Sequence, residues 1–444
     1  MKRLRTVEEA ADKAFRILDR LNPQSLSAFW SRISQLVDPR HRETRPTPRT
    51  RGWERQDRLA RQLNAIYSTT MGKMETFGFK ELAETANGFA KTANAIHRPG
   101  CRYPEGAPEQ ILHEILVGEH LQNQTTAFQS IASAAKRVLP QFDARHLSNL
   151  AYAYAIANVA PTLEDGTALF DHIAKKSLSL LSQCNARDIS NLVWSFEKVG
   201  AYQPKLFGKV ADHVLRLDGL DSFNSQDLSN ILLAFAKSGE SNPRLFKKIA
   251  DHVTALDNLR GFKPRALVNI VWACAEAGET HPKLLETIAN HFIALDSWRF
   301  KPNDLANTVR VYAKAGEMPP KLFQTIADHI VALDSYSLHQ IKPPALAHTV
   351  WAYSKAAESH PRLFKTIGDH IVELEDLHAF EVQDFAQILE AYGSVNIVHP
   401  QLFEKIPAFI DKHIDYAKLD KESLQSLLWA FEAAEKAQKS SNKN

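Results

Sequence analysis

FNSQDLSNILLAFAKSGESNPRLFKKIADHVTALDNLRG (residues 223–261), FKPRALVNIVWACAEAGETHPKLLETIANHFIALDSWR (262–299), FKPNDLANTVRVYAKAGEMPPKLFQTIADHIVALDSYSLHQ (300–340) and IKPPALAHTVWAYSKAAESHPRLFKTIGDHIVELEDLHA (341–379) are four consecutive copies of one unit. Each copy holds two helical patterns joined by a Gly/Pro-marked turn. A period of this size is the signature of a stacked-helix array. One copy cannot bury its apolar face alone, so the copies must stack. The fold class this predicts is all-α: a right-handed α-solenoid superhelix of two-helix repeats, about 38–42 residues each.

Outward from that stretch, the unit openings fall at Phe142, Cys184, Phe223, Phe262, Phe300, Ile341, Phe380 and Tyr416, in steps of 42, 39, 39, 38, 41, 39 and 36 residues. The last unit has only its first helix, SLQSLLWAFEAAEKA. A degenerate repeat begins near Phe79, where FKELAETANGFAKTAN matches a first helix and TAFQSIASAAKRVL a second, with an insertion of about 30 residues between them. The expected organisation is an amino-terminal helical extension at 1–38 and a basic Pro/Arg linker at 39–52. Degenerate capping repeats follow at 53–141, then the solenoid at 142–437 and a disordered tail at 438–444.

Boundaries within a unit have physical causes. First helices open near Pro264, Pro302 or Pro343, and proline suits a first helical turn. They close at Gly200, Gly239, Gly278 or Gly316, the residue that takes a left-handed cap cheaply. Second helices open at Pro204, Pro243, Pro282, Pro320, Pro361 and Pro400.

Composition narrows the function classes. The 44% hydrophobic content suffices for a continuous core, and no apolar run reaches membrane-spanning length, so no membrane partner is expected. Three cysteines without a CxxC pair argue against a disulfide framework or zinc site and for a reducing compartment. Between Arg40 and Arg61, eight arginines face three acids, a local +5 within a chain of net +3, which leaves the rest near neutral. The acidic residues Glu8, Glu9, Asp12 and Asp19 spoil the first helix as a transit peptide. There is no Walker loop, Rossmann glycine pattern, HExxH or nucleophile elbow, so no enzyme and no cofactor is expected.

Numbering each first helix from its leading apolar residue (Leu147, Ile189, Leu228, Leu267, Leu305, Leu346, Phe385, Leu424) puts positions 0, +3, +4 and +7 on one core face. The opposite face holds −2, +2, +5 and +9. At +2 stand Asn149, Asn191, Asn230, Asn269, Asn307 and His348; at +5, Tyr152, Trp194, Trp272, Arg310 and Trp351. At −2 and +9 come Arg145, Arg187, Arg265, Lys198, Lys237, Lys314 and Lys355, so the face carries eight basic residues against Glu276, Glu390 and Glu422. In a stacked array these positions form one surface. Planar aromatics, amides and cations are what a single nucleic-acid strand needs: bases stack, amides meet base edges and cations hold phosphates. The same residue types also admit a structural role, with Asn tying neighbouring helices and Trp packing on the next unit. A weaker set of phosphate candidates is Lys205, Arg244, Lys283, Lys321 and Arg362, each opening a second helix, with solvated surface charge as the alternative. The Asp-His pairs of the second helices (for instance Asp328–His329) are spaced too far apart to share a metal, and the expectation is that each His hydrogen-bonds between repeats.

On LSNILLAFAKSGESNPRLFKKIADHV and its copies, the chain resembles the octotricopeptide and FAST-kinase-like helical repeats of organellar RNA-binding proteins. It is also similar to the repeat region of kinetoplastid RNA-editing substrate-binding components. The resemblance spans roughly Phe79 to Ala437; many octotricopeptide relatives also carry a nuclease-like RAP domain and a PPPEW-like stretch, and the expectation here is a repeat array without either, so no cleavage activity is expected. It implies sequence-selective RNA binding in a mitochondrion or chloroplast, acting in processing, stability or translation. The alternatives are a protein-interaction scaffold of armadillo/HEAT type and a structural subunit associated with an organellar ribosome.

Overall fold

A computed structural model describes residues 6–37, 53–96, 107–117, 122–240, 242–279, 281–356, 360–414, 416 and 419–441. The linker expected at 39–52 lies outside the described residues, as do residues 97–106 of the insertion and 442–444 of the tail. Among the described residues the structure is helical apart from one isolated bridge, Thr162 to Ala168. None of these helices is long and apolar enough to cross a membrane. The expected stacked all-α array is what the chain forms.

The chain divides into two compact units, Met1–Leu245 and Phe246–Asn444. The first contains α1 (Val7–Phe15), α2 (Pro23–Leu36), α3 (Trp53–Gly72), α4 (Phe79–Ile96), α5 (Pro108–Leu116), α6 (Gln122–Val138), α7 (Ala144–Ala157), α8 (Leu169–Leu180), α9 (Ala186–Lys198), α10 (Pro204–Arg216) and α11 (Ser225–Lys237). Helix α12 (Pro243–Ala255) spans the division. The second contains α13 (Pro264–Glu276), α14 (Pro282–Ile293), α15 (Pro302–Lys314), α16 (Pro320–Val331), the short α17 (Ser335–Leu338), α18 (Pro343–Lys355), α19 (Pro361–Glu373), α20 (Val382–Ser394), α21 (Pro400–His413) and α22 (Lys421–Ser441).

First helices pack side by side in a row. In the first unit the order is α2, α4, α7, α9, α11; in the second it is α13, α15, α18, α20, α22. Second helices form their own row behind: α6, α8, α10 in the first unit and α14, α16, α19, α21 in the second. Two segments differ from expectation. Residues 23–36 are not a separate extension, because α2 packs on α4 as another member of the first-helix row. The polar segment from 438 is not wholly tail, because α22 continues to Ser441.

Local chemistry sets the helix ends. Asn185 and Asn224 cap α9 and α11 in reciprocal boxes with Asp188 and Asp227. The turns after the first helices need a left-handed residue. Gly200, Gly239, Gly278 and Gly316 supply φ of 68°, 72°, 69° and 75°, and Asn158 and Asn396 supply 54° and 55° where glycine is absent.

Candidate nucleic-acid interface

A first helix is wedged between two neighbours of its own row and backed by second helices. Its buried arc is therefore wider than 0, +3, +4 and +7. Positions +1 and +6 are buried too, as Ser148 and Ala153 in α7 and Ala347 and Ala352 in α18. So is −1 where it is Asp188, Asp227, Asp304 or Asp384. What remains open to solvent is the arc −2, +2, +5, +9. Arg145, Arg187, Arg265, Lys198, Lys237, Lys314 and Lys355 are exposed; the residues at +2 and Tyr152, Trp194, Trp272, Arg310 and Trp351 at +5 are half-buried.

Along each row, neighbouring first helices present these side chains to one another in register. In the first unit the Tyr152 and Trp194 rings lie 5.2 Å apart at 42°, a tilted aromatic step from α7 to α9. In the second unit the Lys314 ammonium sits 5.7 Å from the Trp272 ring, and Lys314 is ion-paired with Glu276 of α13. Lys237 approaches Glu197 at 3.6 Å and Lys355 approaches Glu390 at 3.7 Å. Three of the candidate lysines therefore have carboxylate partners one helix away. Glu197, at +8, is an acid that strict facial counting misses, because +8 lies at the flank of the open arc.

Two of the arginines each act on a buried acid of the next first helix. Burial raises the Asp227 and Asp304 carboxyl pKa values, and they stay raised against the opposing charges of Arg187 and Arg265. His348, at +2 of α18, is held neutral: burial first, then the Arg310 charge, lowers its pKa to about 4. It belongs with the amides of this position and not with the cations.

The asparagines bear on the structural alternative. Among the described residues, no hydrogen bond joins the side-chain amide of Asn149, Asn191, Asn230, Asn269 or Asn307 to another protein group, although Asn149 accepts one on its backbone carbonyl from Asn87 of α4 at 3.2 Å. Ties between repeats are made elsewhere. Tyr154, Tyr312, Tyr353 and Tyr392, all at +7, donate to the carbonyls of Phe128, Leu285, Phe323 and Phe364 in the preceding second helix, at 2.8, 2.8, 2.7 and 2.6 Å.

The weaker candidates Lys205, Arg244, Lys283, Lys321 and Arg362 are exposed on the first turns of α10, α12, α14, α16 and α19. The Asp-His expectation needs correcting. In the pairs Asp171–His172 and Asp369–His370 the aspartate makes the inter-repeat bond, accepting from Gln203 at 2.7 Å and engaging His399 at 3.0 Å. His172 instead meets Thr167 of its own repeat at 2.8 Å, and His291 and His329 each keep a buried ring nitrogen without a hydrogen-bond partner. Among the described residues no cluster of His, Cys, Asp and Glu has the makings of a metal site, and Cys184 and Cys274 are free thiols.

Among solved structures, a circular tandem repeat protein with novel repeat topology is 12% identical over 98% of this chain and 90% of its own, at a TM-score of 0.19. A homology model of the full-length AP-3 complex is 11% identical over 95% and 92%, at 0.18. No curated protein matches the chain. Residues 220–415, somewhat under half of the chain, match the profile of the family described as RNA-editing substrate-binding complex 6 protein.

Proposed function

We propose that this chain is an RNA-binding helical-repeat protein that holds single-stranded RNA against the open arc of its first-helix rows. Its role would lie in organellar RNA processing, in a mitochondrion or chloroplast, as one component of a larger RNA-handling complex. The observation that carries the reading is the row of asparagine amides at +2. They are half-exposed, recur at +2 of five first helices, α7, α9, α11, α13 and α15, and are not spent on the protein. An amide that merely tied repeats together would be bonded.

Around the amides stand the other two requirements. Tyr152, Trp194, Trp272 and Trp351 offer faces for base stacking, worth roughly 1–3 kcal/mol per base. Arg145, Arg187, Arg265 and Arg310 offer phosphate contacts. Lys237, Lys314 and Lys355 are partly neutralised by their glutamates, so the arginines carry the larger electrostatic share. The match of residues 220–415 to a family named for an RNA-editing substrate-binding complex supports the same reading and makes protein partners part of it.

Binding of single-stranded RNA should weaken steeply with salt. Reversing Arg187, Arg265 and Arg310 to Glu should lower affinity at every salt concentration. It should also flatten the slope of log K against log salt by about 2, at roughly 0.7 for each phosphate that is no longer neutralised. Unchanged affinity and slope would remove this surface. Salt-insensitive association with protein alone would make the chain an armadillo/HEAT-type scaffold.

A further inference from the structure

The loops that lead from a second helix into the next first helix carry two aromatic side chains that the interface above does not use. Trp298 is 79% exposed and Tyr336 is 77% exposed. They occupy the same place in consecutive repeats, LDSWRF at 295–300 and LDSYSL at 333–338. One exposed aromatic is ordinary; two at the same place in consecutive repeats, set among cations, are a candidate surface for a partner.

Their neighbours say which kind. Arg260, Arg299, Lys301 and Lys342 are exposed on the three successive loops of the second unit. The Arg299 guanidinium lies 5.9 Å from the Trp298 ring. Asp257, Asp296 and Asp334 share these loops, but Asp334 is spent on capping α17 through the Ser337 N–H at 2.7 Å. The loops are also stitched into one strip. Arg299 donates to the Arg260 carbonyl at 3.5 Å, and Asn303 bridges to the next loop, donating to the Gln340 carbonyl at 2.6 Å and accepting from the Lys342 N–H at 3.0 Å. Cations and exposed aromatic faces on successive, hydrogen-bonded loops suit a polyanion with stacking bases.

We infer that this edge is a second contact strip for single-stranded RNA, with bases stacking on Trp298 and Tyr336 and phosphates held by Arg260, Arg299, Lys301 and Lys342. It rests on the RNA-binding reading above but uses different residues. Each edge aromatic sits within eight residues of the start of its first helix, at Pro302 and Pro343, so a strand leaving the open arc at the amino-terminal ends of α15 and α18 meets this strip next.

The test uses the full chain carrying Trp298→Ala and Tyr336→Ala together, titrated with a mixed-sequence single-stranded RNA and with an abasic oligonucleotide of the same length. Both side chains are exposed, so the fold should survive, which circular dichroism checks. Affinity for the RNA should fall about tenfold or more, while affinity for the abasic strand stays the same, because stacking needs bases. Equal weakening with both strands, or none, overturns the strip. If the triple arginine reversal still weakens binding in that event, the first-helix reading stands alone. If no RNA binds at all, both fall. Loss of a copurifying protein with RNA affinity unchanged would assign the edge to a protein partner and overturn the proposal.

Discussion

The tyrosines at +7 show how one residue serves both packing and register. Tyr154, Tyr312, Tyr353 and Tyr392 are fully buried among the helices, and each spends its hydroxyl on a carbonyl of the second helix before it. A buried hydroxyl needs such a partner, and a helical carbonyl has a second lone pair to offer. Phe196 and Phe235 fill the same place without the bond. Tyr353→Phe should therefore fold and be less stable by about 1 kcal/mol, since it removes donor and bond together and leaves no orphaned proton. Chemical denaturation reads this directly, and a destabilisation beyond about 3 kcal/mol would mean the hydroxyl does more than tie two repeats. At the same scale, residue type alone leaves His348 open to a cationic role; burial and Arg310 restrict it to the neutral form.

Where α2 meets α4 the close approach of two backbones depends on a small residue. Gly88 of α4 is that residue. A Cβ built there would stand 2.7 Å from the Trp30 carbonyl carbon of α2 and 2.9 Å from its oxygen, and backbone cannot swing aside as a side chain can. Gly88→Ala should push α2 off α4 and cost about 1–3 kcal/mol. Protease cleavage or amide exchange within residues 23–36 should then rise well before the rest of the chain opens; protection there equal to wild type would contradict the close approach. Nothing in residues 23–36 announces this role. The segment PQSLSAFWSRISQL reads as an ordinary amphipathic helix, and only its packing on α4 makes it part of the row.

Over the whole molecule, many histidines are pressed into the array, and desolvation outweighs whatever carboxylates stand near them. Burial is the first cause that lowers the pKa of His213, His281, His291, His329, His348 and His370. Below the ordinary value of about 6.5 the unfolded chain takes up protons that the folded chain refuses, so stability must fall as pH drops through that window. The melting temperature should decrease between about pH 7.5 and about 5.5, where carboxylates stay ionised, and a flat or rising curve would contradict these environments. The repeat, its two-helix unit, the Gly and Pro boundaries and the outward arc were all legible in the chain, because each follows from helical periodicity and backbone conformation, which are local. Which residues across that arc find partners was not legible. The pairing of Lys237 with Glu197, the idle amides at +2 and the links that Arg299 and Asn303 make between successive loops depend on how neighbouring helices are spaced and offset. That offset is set by side-chain packing between units, a property no single unit contains.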